Sequence, residues 1–152
     1  MSLRARLASE LKQATRDRDA LRLSTLRLIH ATIKDREIAR RGDDDAQELS
    51  DADIVAILTR MVKQRQESAR AFEEGGRMEL AEQERAEIAI LEEFLPRQMS
   101  EAEIHEAIED AIEATGAASI RDMGRVIAAL KERYTGQMDF GKVGPMVRAR
   151  LG

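Results

Sequence analysis

The fold is decided by one stretch of the sequence, LEEFLPRQMSEAE at residues 91–103. Apolar residues recur at helical spacing up to Leu95, and Pro96 then removes the backbone donor that a continuing helix requires. A few residues later, Ser100 and Glu103 form an S-x-x-E capping box, the signature of a new helix start. The stretch therefore predicts a boundary between an N-terminal lobe at residues 1–96 and a C-terminal lobe at residues 97–152.

Upstream of this boundary, apolar residues follow helical periodicity in four segments. Asp19 is positioned to cap the second helix, a polar loop at residues 42–45 ends it, and Ser50 with Asp53 opens the third. Gly75 and the glycine after it end the third helix. The predicted apolar faces are Leu3, Leu7, Leu11 and Ala14; Leu26, Ile29 and Ile33; Ile54, Ile57, Leu58, Met61, Ser68 and Phe72; and Leu80, Ile88, Leu91 and Leu95.

Downstream of the boundary, the same periodicity predicts three further helices. The fifth helix runs from the Ser100 box to Gly116, and the sixth starts at Ser119 and Asp122. Because Pro145 fits only a first helical turn, the start of the seventh is left open between Asp139 and a point near Gly144. Since no segment alternates with the period of a strand, the predicted fold class is all-α, with a four-helix N-terminal lobe and a three-helix C-terminal lobe.

Composition excludes several classes of protein. The 152 residues include no Cys, which excludes a disulfide framework, a thiolate metal site and a Cys nucleophile. Charges interrupt every apolar run of the N-terminal stretch MSLRARLASELKQ, and no other stretch approaches membrane-spanning length. We therefore expect a cytoplasmic protein with no membrane partner.

The net charge of −4 conceals a segregation of sign along the chain. Residues 1–41 hold 11 basic and 5 acidic side chains, and residues 42–99 hold 7 and 15. Residues 100–113 carry six acids and no Lys or Arg, whereas residues 114–152 carry seven bases and three acids, a balance of +4. A polyanion is therefore expected to meet two basic regions of the chain.

No motif supplies an independent catalytic or cofactor site. His30 and His105 fall in different lobes without a second histidine at helical spacing, so no metal site is predicted. Residues 136–142 read G-x-x-x-x-G-K, but Val143 follows where a phosphate loop needs a hydroxyl, which indicates a structural turn. No serine lies in the Gly/Ser-rich setting of a glutaminase, and we predict no catalytic residue and no cofactor.

The C-terminal lobe holds the candidate nucleic-acid-binding residues. Tyr134 and Phe140 are the plausible stacking platforms, so binding is expected to follow backbone and shape rather than base identity. Glycines 136, 141 and 144 would let the backbone approach a phosphate. The predicted contacts are Arg121, Arg125, Lys131, Arg133, Gly136, Lys142 and Arg148, with Arg150 also basic in this lobe.

Several segments together resemble the GatB/YqeY family. They are residues 23–29 (LSTLRLI), 63–68 (KQRQES) leading to Phe72, 86–96 (AEIAILEEFLP), and 122–126 (DMGRV) followed by Gly136 and Asp139. The resemblance covers nearly the whole chain in order and implies a four-helix lobe followed by a three-helix lobe. It also implies a relation to the tail of the GatB subunit of tRNA-dependent amidotransferase, which helps to hold the tRNA.

The tail-like stretch is residues 119–151, where Gly124 and Val126 match a G-x-V pattern. The tail typically has a lysine after the turn glycine, and this chain has Gln137 there. The first hypothesis is therefore a non-catalytic accessory module that binds tRNA or a tRNA-handling enzyme. Two alternatives stay open: a component of a glutamine-dependent carbon–nitrogen ligase system, and a helical adaptor for another protein through its acidic helices.

Overall fold

The computed structural model describes residues 1–40 and 48–152. These residues contain seven α-helices, one 3-10 turn and no strand, which confirms the all-α fold class. The loop predicted at residues 42–45 lies outside the described residues. The backbone divides into two compact units, Met1–Leu95 and Pro96–Gly152.

The N-terminal unit contains four helices, and short polar side chains cap the first three. Ser2 accepts a hydrogen bond from the Ala5 amide at 3.1 Å and Asp19 accepts one from the Arg22 amide at 3.2 Å. Ser50 and Asp53 form the predicted capping box. These caps satisfy amides that have no partner inside the helix. The helices are α1 (Leu3–Asp17), α2 (Ala20–Ala39), α3 (Asp51–Glu74) and α4 (Met78–Glu92).

The apolar faces of these four helices meet in one core, whose fully buried members include Leu7, Leu26, Ile54, Leu58 and Leu91. Phe94, just beyond α4, is also buried in this core, with 3% of its surface exposed. Burial of these aliphatic and aromatic side chains is the main favourable contribution to the folding of the unit.

Polar contacts fasten the end of α4 to α1 and α2. The Arg6 guanidinium lies 5.0 Å from the centroid of the Phe94 ring and donates to the Glu93 carbonyl at 2.8 Å. Arg22 donates to the carboxylates of Glu93 at 2.6 Å and Glu10 at 2.8 Å. The last turn of α4 is therefore held by two arginines that lie more than seventy residues away along the chain.

One predicted core position is wrong. Leu80 was expected on the apolar face of α4, but it is 37% exposed, and Ala81 is fully buried instead. Both positions fall near the side of α4 that carries Ile88 and Leu91, since Ala81 lies seven and ten residues before them and Leu80 eight and eleven. Spacing along the helix therefore does not separate the two positions. Hydrophobicity alone favoured the leucine over the alanine.

The C-terminal unit contains α5 (Glu101–Thr115), a 3-10 turn (Ile120–Asp122), α6 (Met123–Tyr134) and α7 (Phe140–Leu151). Its core is formed by small and branched side chains from all three helices, namely Ala107, Ile108, Val126, Leu130, Val143 and Val147, together with Met138 from the turn before α7. The 3-10 turn follows the predicted helix start at Ser119, and α6 itself begins one turn later, at Met123.

The last helix begins early, and its proline lies inside it. Asp139 accepts a hydrogen bond from the Gly141 amide at 2.9 Å, which fixes the start of α7 at Phe140 rather than near Gly144. Pro145 is then the sixth helical residue. A proline crowds the Cβ of the residue before it. Because that residue is Gly144, which has no Cβ, part of the steric conflict is removed.

We expect Leu58→Ala to destabilise the protein by about 2–5 kcal/mol, because the side chain is fully buried and the truncation leaves a cavity. Met78→Ala removes a side chain that is 50% exposed and serves as the control, with an expected change within about 0.5 kcal/mol. Urea denaturation followed by circular dichroism measures both values. Equal losses for the two variants would contradict the assigned core.

We expect the carboxyl group of Glu103 to titrate near pH 2. Arg97 donates to its two oxygens at 3.0 and 2.7 Å, and the amide and hydroxyl of Ser100 complete the capping box, so the pKa of Glu103 is lowered from 4.5 to about 2. A carboxyl whose pKa is lower in the folded state contributes stability above its unfolded pKa. That contribution is lost as the pH falls from about 4.5 through about 2.

A carbon-13 NMR titration of the Glu103 carboxyl measures this midpoint. Arg97→Ala is expected to move it up toward 4.5, while Arg148→Ala, which removes an exposed arginine of α7, leaves it unchanged. A wild-type midpoint already near 4.5 would rule out the Arg97 contact in solution.

Candidate nucleic-acid interface

The turn between α6 and α7 organises the basic part of the C-terminal unit. Gly136 has a φ of +80°, a backbone conformation that side-chain-bearing residues rarely adopt. Two residues further on, Met138 is buried in the core with 4% of its surface exposed. The positive φ and the buried methionine together reverse the chain within residues 135–139, so that the end of α6 and the start of α7 lie side by side.

Residues 98 and 99, which precede α5, clamp this turn. The Gln98 side-chain amide donates to the Gly136 carbonyl at 2.6 Å, and the Met99 amide donates to the Gln137 carbonyl at 2.9 Å. The Gln137 amide donates to the Tyr134 carbonyl at 2.9 Å. Because both backbone groups of Gln137 are bonded within the protein, the turn is held rigidly before any ligand arrives.

Two cations at the end of α6 lie over aromatic rings. The Lys131 ammonium is 5.7 Å from the centroid of the Phe140 ring, and the Arg133 guanidinium is 5.5 Å from that of Tyr134. Both cationic residues are exposed, while the two aromatic residues are half-buried against the core. The predicted stacking platforms are therefore partly covered by their own cations, which positions positive charge at the turn.

Five of the predicted contact residues present an exposed cation. Within the described part of the chain, none of the five forms an ion pair with a carboxylate. Their charges are therefore available to an anion from solution. They are Arg121 on the 3-10 turn, Lys131 and Arg133 on α6, and Lys142 and Arg148 on α7.

Arg125 and Arg150 are placed differently, because each one contacts an acid of the same unit. Arg125 donates to the Asp122 carboxylate at 2.7 Å and to the Thr115 carbonyl at 3.2 Å. Arg150 donates to both oxygens of Glu109, one of them at 3.0 Å. The predicted contact Arg125 thus links α6 to the end of α5, and its charge is already balanced.

The same pairs keep the acids ionised. The pKa of Asp122 is lowered, first by the hydrogen bond from the Ala118 amide and then by Arg125. The pKa of Glu109 is lowered by the hydrogen bond from Arg150. The lowered pKa values agree with the contacts by which these two carboxylates balance Arg150 and Arg125.

The glycines divide into two roles. Gly136 was predicted to let a phosphate approach the backbone, but it is buried and its carbonyl is bonded to Gln98, so its role is to form the turn. Gly124 is exposed on α6, and nothing lies within 4 Å of the position that a Cβ would take. Gly141 is exposed in the first turn of α7. At Gly124 and Gly141, the helix backbone is therefore not covered by a side chain of its own.

The G-x-x-x-x-G-K motif lies in this helix–turn–helix junction, with α6 before it and α7 after it. This confirms that it is a structural turn, since a phosphate loop follows a strand. A shallow groove of about 340 Å³ lies between α5 and α6, and Asp110 and Glu132 are among its lining residues. Arg133 also lines this groove, so the two carboxylates lie beside one of the five exposed cations.

The described residues contain no group of three or more His, Cys, Asp or Glu side chains that could hold a metal ion. His105 Nε2 lies 3.9 Å from a Glu101 oxygen, and both side chains are exposed. Within residues 1–40 and 48–152, no helix combines the length and apolar character needed to cross a bilayer.

We expect Gly136→Ala to destabilise the C-terminal unit by about 1–2 kcal/mol, because a Cβ is strained at positive φ. Gly124→Ala is the matched control, since it adds the same methyl group in open space on a regular helix and is expected to stabilise by up to about 1 kcal/mol. Urea denaturation followed by circular dichroism compares them. Changes of the same sign would argue against this geometry of the turn.

Curated relatives of the chain are fungal proteins. A protein of Lachancea thermotolerans named "Altered inheritance of mitochondria protein 41, mitochondrial" is 33% identical over 102 residues, which cover 66% of this chain and 52% of the relative. A protein of the same name from Clavispora lusitaniae is 35% identical over 94 residues, covering 62% and 52%. The chain thus matches about half the length of these relatives.

These names describe mitochondrial proteins. They contradict the cytoplasmic location predicted from the sequence, and that prediction is wrong. The prediction depended on the absence of cysteine and on charges that interrupt the N-terminal apolar residues. Neither feature distinguishes the cytoplasm from another compartment that keeps thiols reduced, so neither could support that location.

The family comparison covers almost the whole chain. The model of the family described as "Yqey-like protein" matches residues 4–151, which include all seven helices except the first residue of α1. The match agrees with the resemblance inferred from the segments at residues 23–29, 63–68, 86–96 and 122–126. The chain therefore belongs to the YqeY-like protein family.

Proposed function

We propose that the C-terminal unit of this protein binds tRNA, and that the protein acts as a non-catalytic accessory module for tRNA or a tRNA-handling enzyme. The observation that carries the proposal is the set of five exposed cations, Arg121, Lys131, Arg133, Lys142 and Arg148, which are unpaired among the described residues. Their positive charge matches the phosphate backbone of a nucleic acid.

The arrangement favours contacts with backbone and shape over contacts with bases. Phosphate contacts from lysine and arginine fix the position of a nucleic acid without reading its sequence. Tyr134 and Phe140 are half-buried and lie under Arg133 and Lys131, so little aromatic surface is left for base stacking. A folded RNA with closely spaced phosphates fits such a surface better than an extended single strand.

The rigid turn supports the proposal energetically. Lys131 and Lys142 lie on the two sides of the turn, which Gln98, Met99 and the Gly136 conformation hold in place. Preorganised cations lose less conformational freedom on binding than cations on a mobile loop. Gln137 stands where the related tail has a lysine, and we infer that Lys142, five residues later, takes a larger share of the phosphate contacts here.

The test is equilibrium binding of a fluorescently labelled tRNA transcript to the full chain between 50 and 200 mM salt. The triple variant Lys131→Ala/Lys142→Ala/Arg148→Ala is expected to bind more weakly. It should also reduce the slope of log K against log salt by about 3, roughly one for each lost phosphate contact. Circular dichroism verifies that the variant folds.

The control variant Lys63→Ala/Arg70→Ala/Arg77→Ala removes the same charge from exposed positions of the acidic stretch at residues 42–99. We expect it to leave both affinity and salt slope close to wild type. The proposal fails if the wild-type protein does not bind the transcript at 50 mM salt, or if the two triple variants lose affinity equally.

A further inference from the structure

A groove runs between α2 and α3 of the N-terminal unit. It consists of two adjoining depressions of about 400 and 230 Å³, which share Arg36, Ile57 and Arg60 as lining residues. Its α2 wall extends from Leu28 to Arg40 and its α3 wall from Asp53 to Arg65. Each wall covers twelve helical steps, so the groove is about 18 Å long, the length of a helix of three turns.

Unbalanced positive charge lies on both walls. Among the described residues, four arginines and one aspartate line the two depressions. Arg40 lies 3.5 Å from Asp53, and Arg65 is held by Glu87 at 3.2 Å and by the Met61 carbonyl at 3.3 Å. Those two charges are already compensated within the unit.

Arg36 and Arg60 remain, one from each helix. Both are exposed, and neither contacts a carboxylate among the described residues. A guanidinium presents paired donors that match the two oxygens of a carboxylate. The groove is therefore complementary to a ligand that carries acidic groups along two edges.

One large aliphatic side chain is exposed at the groove. Leu28 is 45% exposed, whereas Ile57 and Met61, which line the same depression, are buried with 7% and 6% of their surface exposed. Leu28, Thr32 and Arg36 follow one another at intervals of four residues, so an apolar, a polar and a basic side chain share a single face of α2. A ligand that fills the groove must therefore have an apolar face as well as acids.

We propose that this groove binds an acidic, amphipathic helical segment of a partner protein. An aliphatic side chain of the segment would cover the exposed Leu28, and its flanking carboxylates would pair with Arg36 and Arg60. This is the helix-in-groove mode of recognition, in which apolar anchors at helical spacing give affinity and charges fix the register. The proposal concerns the N-terminal unit and is independent of tRNA binding by the C-terminal unit.

Nucleic acid fits this groove less well. The lining residues of the two depressions include no aromatic side chain, so bases would find no stacking surface. Covering the exposed Leu28 side chain with a phosphate backbone would also bring charged groups against an apolar surface. An acidic amphipathic protein segment is complementary both to the two arginines and to the exposed Leu28 side chain.

The probe is a fluorescein-labelled, fifteen-residue helical peptide with leucines at helical spacing on one face and glutamates on the other. Fluorescence anisotropy with the full chain is expected to show saturable binding. Arg36→Glu/Arg60→Glu should weaken it by about tenfold or more, and Leu28→Ser should weaken it several-fold with little change in salt dependence. All three substituted residues are exposed, and circular dichroism verifies folding.

The control Arg27→Glu/Arg70→Glu makes the same charge change at exposed positions of the same two helices outside the groove, and is expected to stay within about twofold of wild type. Equal losses for the two charge-reversal variants would overturn the proposal. So would equal binding of a peptide with the same composition but scrambled leucines, or preferential displacement of the peptide by polyuridine RNA. Self-association of the wild type that Arg36→Glu/Arg60→Glu abolishes would instead assign the groove to a second copy of this chain.

Discussion

The end of α4 is the constraint on which the rest of the structure depends. Leu91 and Phe94 are buried in the N-terminal core, while Arg6 and Arg22 hold the Glu93 carbonyl and carboxylate. Pro96 follows at once and cannot donate to a further helical turn. A shift of the helix along its axis would expose Phe94, and the proline prevents the helix from continuing. The N-terminal core therefore ends here, and a second core begins after it. The residues that follow form hydrogen bonds with the α6–α7 turn.

That clamp links the boundary to the candidate interface. Gln98 and Met99 lie two and three residues after Pro96 and donate hydrogen bonds to the carbonyls of Gly136 and Gln137. The residues that clamp the turn of the C-terminal unit therefore lie within four residues of the end of the N-terminal unit. The capping box of Ser100 and Glu103, with Arg97 on the same carboxylate, fixes the direction in which α5 leaves this segment. The α6–α7 turn that carries part of the basic surface is thus held by the segment that follows Pro96.

Ion pairing separates the cations that hold the protein together from those that face solution. Arg6, Arg22, Arg65 and Arg125 each contact another element or its end, and such contacts orient helices even when an exposed pair contributes little free energy. The five unpaired cations of the C-terminal unit, and Arg36 with Arg60 in the N-terminal unit, have no carboxylate partner among the described residues. Membership of the YqeY-like family is consistent with either surface, since neither the family description nor the relatives' names state a reaction.

The sequence by itself determined the helices, their caps and the all-α class. These follow from contacts within a few residues, such as Ser50 with Asp53, Ser100 with Glu103, or Pro96 after a helix, and local chemistry is what sequence patterns record. It also identified the basic composition of residues 114–152. It ranked Leu80 above Ala81, however, because hydrophobicity does not report which side of a helix meets a neighbour. Only the tertiary structure decided that Arg125 and Arg150 are balanced by Asp122 and Glu109, that Gly136 serves the turn, and that Arg36 and Arg60 face each other across a groove. Arg150 and Glu109 lie 41 residues apart and the Gln98–Gly136 contact spans 38, and the spacing of residues along one helix carries no information about such contacts. Arg125 and Asp122 lie only three residues apart, but the sequence did not show that this cation takes that partner rather than facing solution.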